Sequence, residues 1–293
     1  MMAPRLADPP RLPPPEELAS GDFEMVVRRL ADDLAFGTDP SRFFGSGFEF
    51  AQSRPYVPGD PVRSLDWRIT ARLGRPFVKE YDTLKRTAAY LVVDTSASMA
   101  VGSTALSKHD LALWIAAAVG LVAQRRMSPV AVIGAGERQT RVEPSLLRSD
   151  LWRTLEPLRA RRLIEETRLA ERIRDLGIHA KRSSIVAVIS DLHDPDAIPA
   201  LRTVAERHDV VAIHLIDPAE RGELRAGFFR GREAETGRSF LAHGRVRWPS
   251  EGAIATDLAR SGVSYLRLQT DLPILPPLRR FLAFRPAIGG GRG

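Results

Sequence analysis

The 293-residue chain contains no cysteine. A disulfide framework, a thiolate metal site and a cysteine nucleophile are therefore all excluded. Lysine is scarce as well: only Lys79, Lys85, Lys108 and Lys181 stand among 43 basic residues. Long apolar runs are missing. The longest, Leu111 to Ala123, has about thirteen residues against the roughly 20 that a membrane-spanning helix needs, and Asp110 and Arg125 close it. It reads as a buried core helix, and no membrane span is expected. The opening residues are proline-rich and polar, without the basic, apolar and small-residue sequence of a secretion signal, so a cytoplasmic protein is expected. Neither a P-loop nor a complete G-x-G-x-x-G occurs; Gly134-x-Gly136 lacks the third glycine and does not open a helix.

The formal charge of +7 raises the question of nucleic acid. The basic residues are nevertheless dispersed, with no dense basic tail and no aromatic interleaving of the kind that single-strand binders use, so no nucleic acid is expected. What remains is an ordinary globular composition, with room for one large domain and a smaller module.

What is present centres on Asp94-Thr95-Ser96-Ala97-Ser98-Met99. The run before it, Ala88 to Val93, has no polar alternation, which is how a strand covered on both faces of a parallel sheet reads. Asp94 is thus placed at a strand's carboxyl end, the edge where open α/β sheets bind ligands. Ser107 is positioned to cap a helix from about Lys108 to Met127. A strand at Val130 to Ile133 follows, then a hairpin to an edge strand around Thr140-Arg141-Val142, and helices over 146–158 and 169–176. A second wholly apolar strand, Ser184 to Ile189, ends in Ser190-Asp191-Leu192, which puts another aspartate at a strand's carboxyl end. A helix at 197–207, a strand at 210–216, a polar hairpin over 225–241 around Glu235-Thr236-Gly237, a helix at 253–260, a strand at 263–268 and a closing helix at 273–284 complete the series. The expected fold is α/β, a doubly wound, mostly parallel sheet with a small N-terminal strand-rich module.

The domain reading divides the chain into a proline-rich arm over 1–15, an N-terminal helix and strand-rich module over 16–87, the α/β domain over 88–285 and a flexible tail over 286–293. An amphipathic helix between Glu16 and Ala35 presents Leu18, Phe23, Val26, Val27, Leu30 and Leu34, and its apolar face needs a partner surface. Within the module, Arg54, Asp60, Arg63, Asp66 and Arg72 alternate in sign at short spacing, which predicts an internal network of arginine–carboxylate pairs. Trp67 is expected in the core.

Asp94, Ser96, Ser98 and Asp191 project from two loops at one sheet edge, and Thr167, ahead of the 169–176 helix, adds a fifth oxygen. Such a hard-oxygen set suits Mg²⁺ or Mn²⁺ and not zinc or copper. His193 reads as a solvated loop residue. A haloacid-dehalogenase nucleophile would need a second carboxylate where Ser96 stands, and a receiver phosphoacceptor would need an acidic pair at an earlier strand end. The bland alternative is that Asp94 and the serines only cap a helix.

The Asp-x-Ser-x-Ser run, the downstream Thr167 and the strand-end Asp191 resemble the metal-ion-dependent adhesion site of von Willebrand factor A domains. That resemblance implies Ser96 and Ser98 as direct ligands of Mg²⁺ or Mn²⁺, with Asp94 and Asp191 ligating directly or through water. Upstream, Arg54-x-Tyr56-x-x-Gly59-Asp60-x-x-Arg63-x-x-Asp66-Trp67-x-x-x-Ala71-Arg72 resembles the bacterial domain-of-unknown-function family fifty-eight. Its members are typically associated with MoxR-type AAA+ ATPases. The function implied is a non-enzymatic, metal-dependent protein-binding adaptor, chaperone-like, acting with such an ATPase or its protein client in protein or metalloenzyme maturation. The rival is a metal-dependent hydrolase or phosphatase using the same pocket.

Overall fold

The computed structural model describes residues 23–35, 48–83, 87–138, 143–221, 228–232, 239–243 and 251–284. The expected arm, the tail, residues 16–22, the Thr140-Arg141-Val142 strand and the Glu235-Thr236-Gly237 turn lie outside them. The centre is a five-stranded sheet of β3 (Ala89–Val93), β4 (Val130–Gly134), β5 (Ile185–Ser190), β6 (Asp209–Ile216) and β9 (Ser264–Gln269). All four pairings are parallel, in the order β4-β3-β5-β6-β9. The first strand of the domain therefore lies between the second and the third. This is the doubly wound order whose topological switch point falls between the first and third strands.

Side chains alternate between two cores because the strand period is 2. One face buries Leu91, Val93, Ile185, Ala187 and Ile189, and the other buries Val92, Val186 and Val188. The first core is filled by α4 (Lys108–Arg125), in which every residue from Lys108 to Gln124 except Asp110 is buried. A helix apolar on every side must be covered on every side. Its outer flank is covered by α1 (Phe23–Ala35) and α5 (Arg148–Leu155), and α9 (Leu275–Phe284) packs on α1 and β9 in the same core. The amphipathic N-terminal helix thus finds its partner surface inside this chain: Val26, Val27, Leu30, Ala31 and Leu34 all join that core. The opposite face carries α6 (Leu169–His179), α7 (Ala197–Ala205) and α8 (Glu251–Arg260). The expected polar hairpin is present as the antiparallel strands β7 (Phe228–Arg232) and β8 (Ser239–His243).

The strand-rich module contains β1 (Phe48–Pro55) paired antiparallel with β2 (Phe77–Thr83), with a bulge between Phe50 and Gln52. Between them lies a helix that the residue pattern did not suggest, α2 (Trp67–Leu73). It accounts for two departures from expectation. Asp66 pairs with no described arginine. It is the N-cap of this helix, accepting the Arg68 and Ile69 N–H groups at 3.1 and 3.2 Å and the Ser53 hydroxyl at 2.9 Å. Trp67 takes the first helical position and is 66% exposed, not in the core. Of the predicted network, the Arg54–Asp60 pair forms, bidentate at 2.8 Å for both bonds. The Arg63 side chain lies outside the described atoms. Asp66→Ala should therefore lower the melting temperature by removing a cap, while Asp66→Asn, which retains an acceptor, should lose less. Equal losses in the two variants would assign Asp66 a charge-pairing role instead.

Candidate functional site

Asp94 follows β3 and Asp191 follows β5, and these strands are hydrogen-bonded neighbours with Val93 opposite Ile189. Both aspartates therefore stand at the switch point. Asp94 is 2% exposed; its Oδ1 accepts the Ser96 N–H at 3.0 Å and its Oδ2 accepts the Ser190 hydroxyl at 2.6 Å. The Ser96 hydroxyl also favours the charged form of Asp94, that of Ser98 the charged form of Asp191, and the two serine oxygens lie 3.1 Å apart. Asp94, Ser96 and Ser98 are thus linked by hydrogen bonds, and Asp191 stands beside Ser98. Thr167 stands apart: half-buried, it accepts the Leu169 N–H at 3.4 Å and makes no hydrogen bond to those four. Its loop still reaches the site, because the Glu165 carbonyl accepts the Ala97 N–H at 2.9 Å.

The two aspartates are pushed apart electrostatically. Burial, reinforced by the Asp191 charge, raises the Asp94 carboxyl well above the usual range. Burial would raise Asp191 too, but the Lys108 ammonium, His193 and the Ser98 hydroxyl hold it below that range. The Lys108 Nζ donates to Asp191 Oδ2 at 2.7 Å and also to Glu220, and the lysine side chain is 1% exposed. Burial alone would depress that ammonium; the two carboxylates raise it instead.

Lys108 is the site residue that motif reading passed over. A signal was available, since a cation at the first turn of a helix opposes the macrodipole and must be held there by something else. Leu192 gives a second mark: it adopts φ 55° immediately after Asp191, a left-handed conformation that costs roughly 1–2 kcal/mol in a non-glycine residue. The Ser190 hydroxyl accepts the Leu192 N–H at 2.8 Å and fixes that turn.

Behind the serines, Thr95 donates to Glu165 Oε1 at 2.9 Å, and Arg138 binds Glu165 Oε2 at 2.7 Å through Nη2 and 3.0 Å through Nε. The same guanidinium donates to the carbonyls of Pro157, Leu158 and Ala160. Gly136 makes this possible, because a Cβ there would sit 2.2 Å from Glu165 Oε1 and 2.5 Å from Thr95 Oγ1. The glycine serves close packing beside the loop, consistent with the absence of a nucleotide fingerprint.

His109, buried on α4, lies with Nε2 2.8 Å from the Leu158 carbonyl, so the proton sits on that nitrogen, while Nδ1 has no partner. Burial, with Arg138 and Arg161 adding and Asp110 and Glu165 opposing, lowers its pKa to about 4. The folded value lies below the unfolded one, so this contribution to stability is complete above about pH 6.5 and is lost as pH falls toward 4, worth about 3 kcal/mol. Denaturant midpoints between pH 7 and 4.5 should fall less steeply for His109→Gln, which can still donate to Leu158.

The family described as "Protein of unknown function DUF58" matches residues 52–247. The chain belongs to this family. The match spans both the antiparallel module and the Asp94–Asp191 crevice. Uncharacterized proteins of Mycobacterium tuberculosis and Mycobacterium bovis are 31% identical over 277 residues, covering 90% of this chain and 87% of theirs. Two solved structures are distant. The Deinococcus radiodurans RO (RSR) protein has 13% identity and a TM-score of 0.35, over 92% of this chain and 47% of that one. An uncharacterized membrane spanning protein of Vibrio fischeri has 16% identity and a TM-score of 0.24, over 66% of this chain and 93% of that one. At those scores neither bears on how this family member works. Among the described residues, no helix is long and apolar enough to cross a membrane.

Proposed function

We propose that the protein is a non-enzymatic adaptor whose crevice, like that of a von Willebrand factor A domain, binds a partner protein through a divalent cation. The observation that carries this reading is the gathering of Asp94, Ser96, Ser98 and Asp191 from two strand-end loops at the switch point. All its donors are hard oxygens, which fits Mg²⁺ or Mn²⁺. Ser96 and Ser98 would hold the ion directly, Asp94 and Asp191 directly or through water, and Thr167 would contribute from the adjoining loop. Neutral hydroxyls leave a bound ion electron-poor, so when bound it offers a coordination position to a partner's Asp or Glu side chain. The resemblance noted above makes a MoxR-type AAA+ ATPase or its client the partner, acting in the cytoplasm in protein or metalloenzyme maturation.

A pull-down with that ATPase should retain it on the wild type in Mg²⁺ and lose it with EDTA or in a folded Ser96→Ala, Ser98→Ala variant. Equal retention in all three arms would move the interface away from the metal site, to the Arg54–Arg72 module. Turnover of generic phosphate esters with Mg²⁺ or Mn²⁺, abolished by the same substitutions, would replace the adaptor by a hydrolase.

A further inference from the structure

Asp191, His193 and Glu220 bring three potential metal-ligand atoms within 4.8 Å of one another. They line a cavity of about 360 Å³ whose walls include Ile198, Ile216 and Ile254. The ammonium of Lys108 bonds two of the three. We propose that Lys108 is a built-in cation, held by its tether to α4 where a divalent ion would otherwise bridge Asp191 and Glu220.

Three features support this. The lysine opens a helix, where the aligned peptide dipoles repel a positive charge, so the two carboxylates are what keep it in place. It is almost fully buried yet paired on both sides, so its charge replaces one that the carboxylates would have to obtain from solution. A compact ammonium, unlike a planar guanidinium, acts as a point charge and can stand in for a spherical ion, which gives a reason for lysine here in an arginine-rich chain. The consequence concerns the metal site proposed above, and the inference rests on that reading for where a metal ion remains free to bind. With one Asp191 oxygen committed to Lys108, a divalent ion is confined to the Asp94, Ser96 and Ser98 side of the crevice and is bound weakly.

The test is calorimetric titration of MnCl₂ and MgCl₂ into the wild type, Lys108→Met and the double variant Lys108→Met, Glu220→Gln, with melting temperatures in EDTA and in Mn²⁺. Lys108→Met should bind Mn²⁺ at least about tenfold more tightly than the wild type and prefer it over Mg²⁺, since His193 adds an imidazole ligand. Its melting temperature should fall in EDTA and recover in Mn²⁺. The double variant has one carboxylate fewer to neutralise and should fold without metal. It should bind Mn²⁺ more weakly than Lys108→Met but more tightly than the wild type, and it decides the matter if the single variant does not fold. Affinity no tighter than wild type in the folded variants overturns the inference while leaving the metal-site reading intact. Tight binding by the variants with none by the wild type upholds it and overturns that reading. No binding by any of the three overturns both.

Discussion

Arg138→Ala should cost about 3–5 kcal/mol of folding stability, because it leaves the wholly buried Glu165 carboxylate without its cation. The loss reaches further than one ion pair. The guanidinium binds both ends of the loop from Pro157 to Glu165, and Glu165 in turn touches Thr95 and caps the short helix α3 (Ala97–Ala100) through its carbonyl. The site turn is therefore supported from behind by this pair. Urea melts give the cost, and a double variant Arg138→Ala, Glu165→Gln should recover part of it, because a neutral amide is cheaper to leave unpaired than a charge. A single variant as stable as the wild type would show that solvent reaches Glu165 and that the pair does not organise the turn.

Leu34→Ala should cost about 2–5 kcal/mol, the range for removing a fully enclosed leucine side chain. Leu34 is 1% exposed and belongs to the same core as α4 and the sheet. Arg125 binds Asp32 at 2.6 Å, Phe23 meets Trp152 edge-on at 6.0 Å, and the Asp33 carbonyl accepts the Arg279 guanidinium, so α1 is tied along its length as well as packed. If α1 were an arm reserved for another protein, Leu34→Ala would leave the midpoint unchanged. Single-transition urea unfolding monitored by tryptophan fluorescence separates these outcomes, since Trp114 and Trp152 both lie in or against this core.

By itself the sequence determined the α/β class, the places of β3 and β5 and the pairing of a strand-end Asp94 with a strand-end Asp191. Each of these rests on local pattern: an apolar run of strand length, a polar residue at its end, a capped helix after it. Tertiary structure alone decided the rest, because the physics was long-range. The surface that α1 covers is built by α4, α5 and α9, which no periodicity within residues 23–35 can specify. Asp66 looked like an ion-pair partner because arginines surround it in sequence. It became a helix cap because the Arg68 and Ile69 N–H groups, unsatisfied at the start of α2, lie within hydrogen-bond reach, where no described guanidinium does. Trp67 looked like a core residue by its size but opens that helix on its exposed side. Lys108 shows the limit most plainly. Its neighbours in sequence make it a residue at the start of a helix, and only the crossing of β5 and the turn after β6 brings Asp191 and Glu220 to its ammonium.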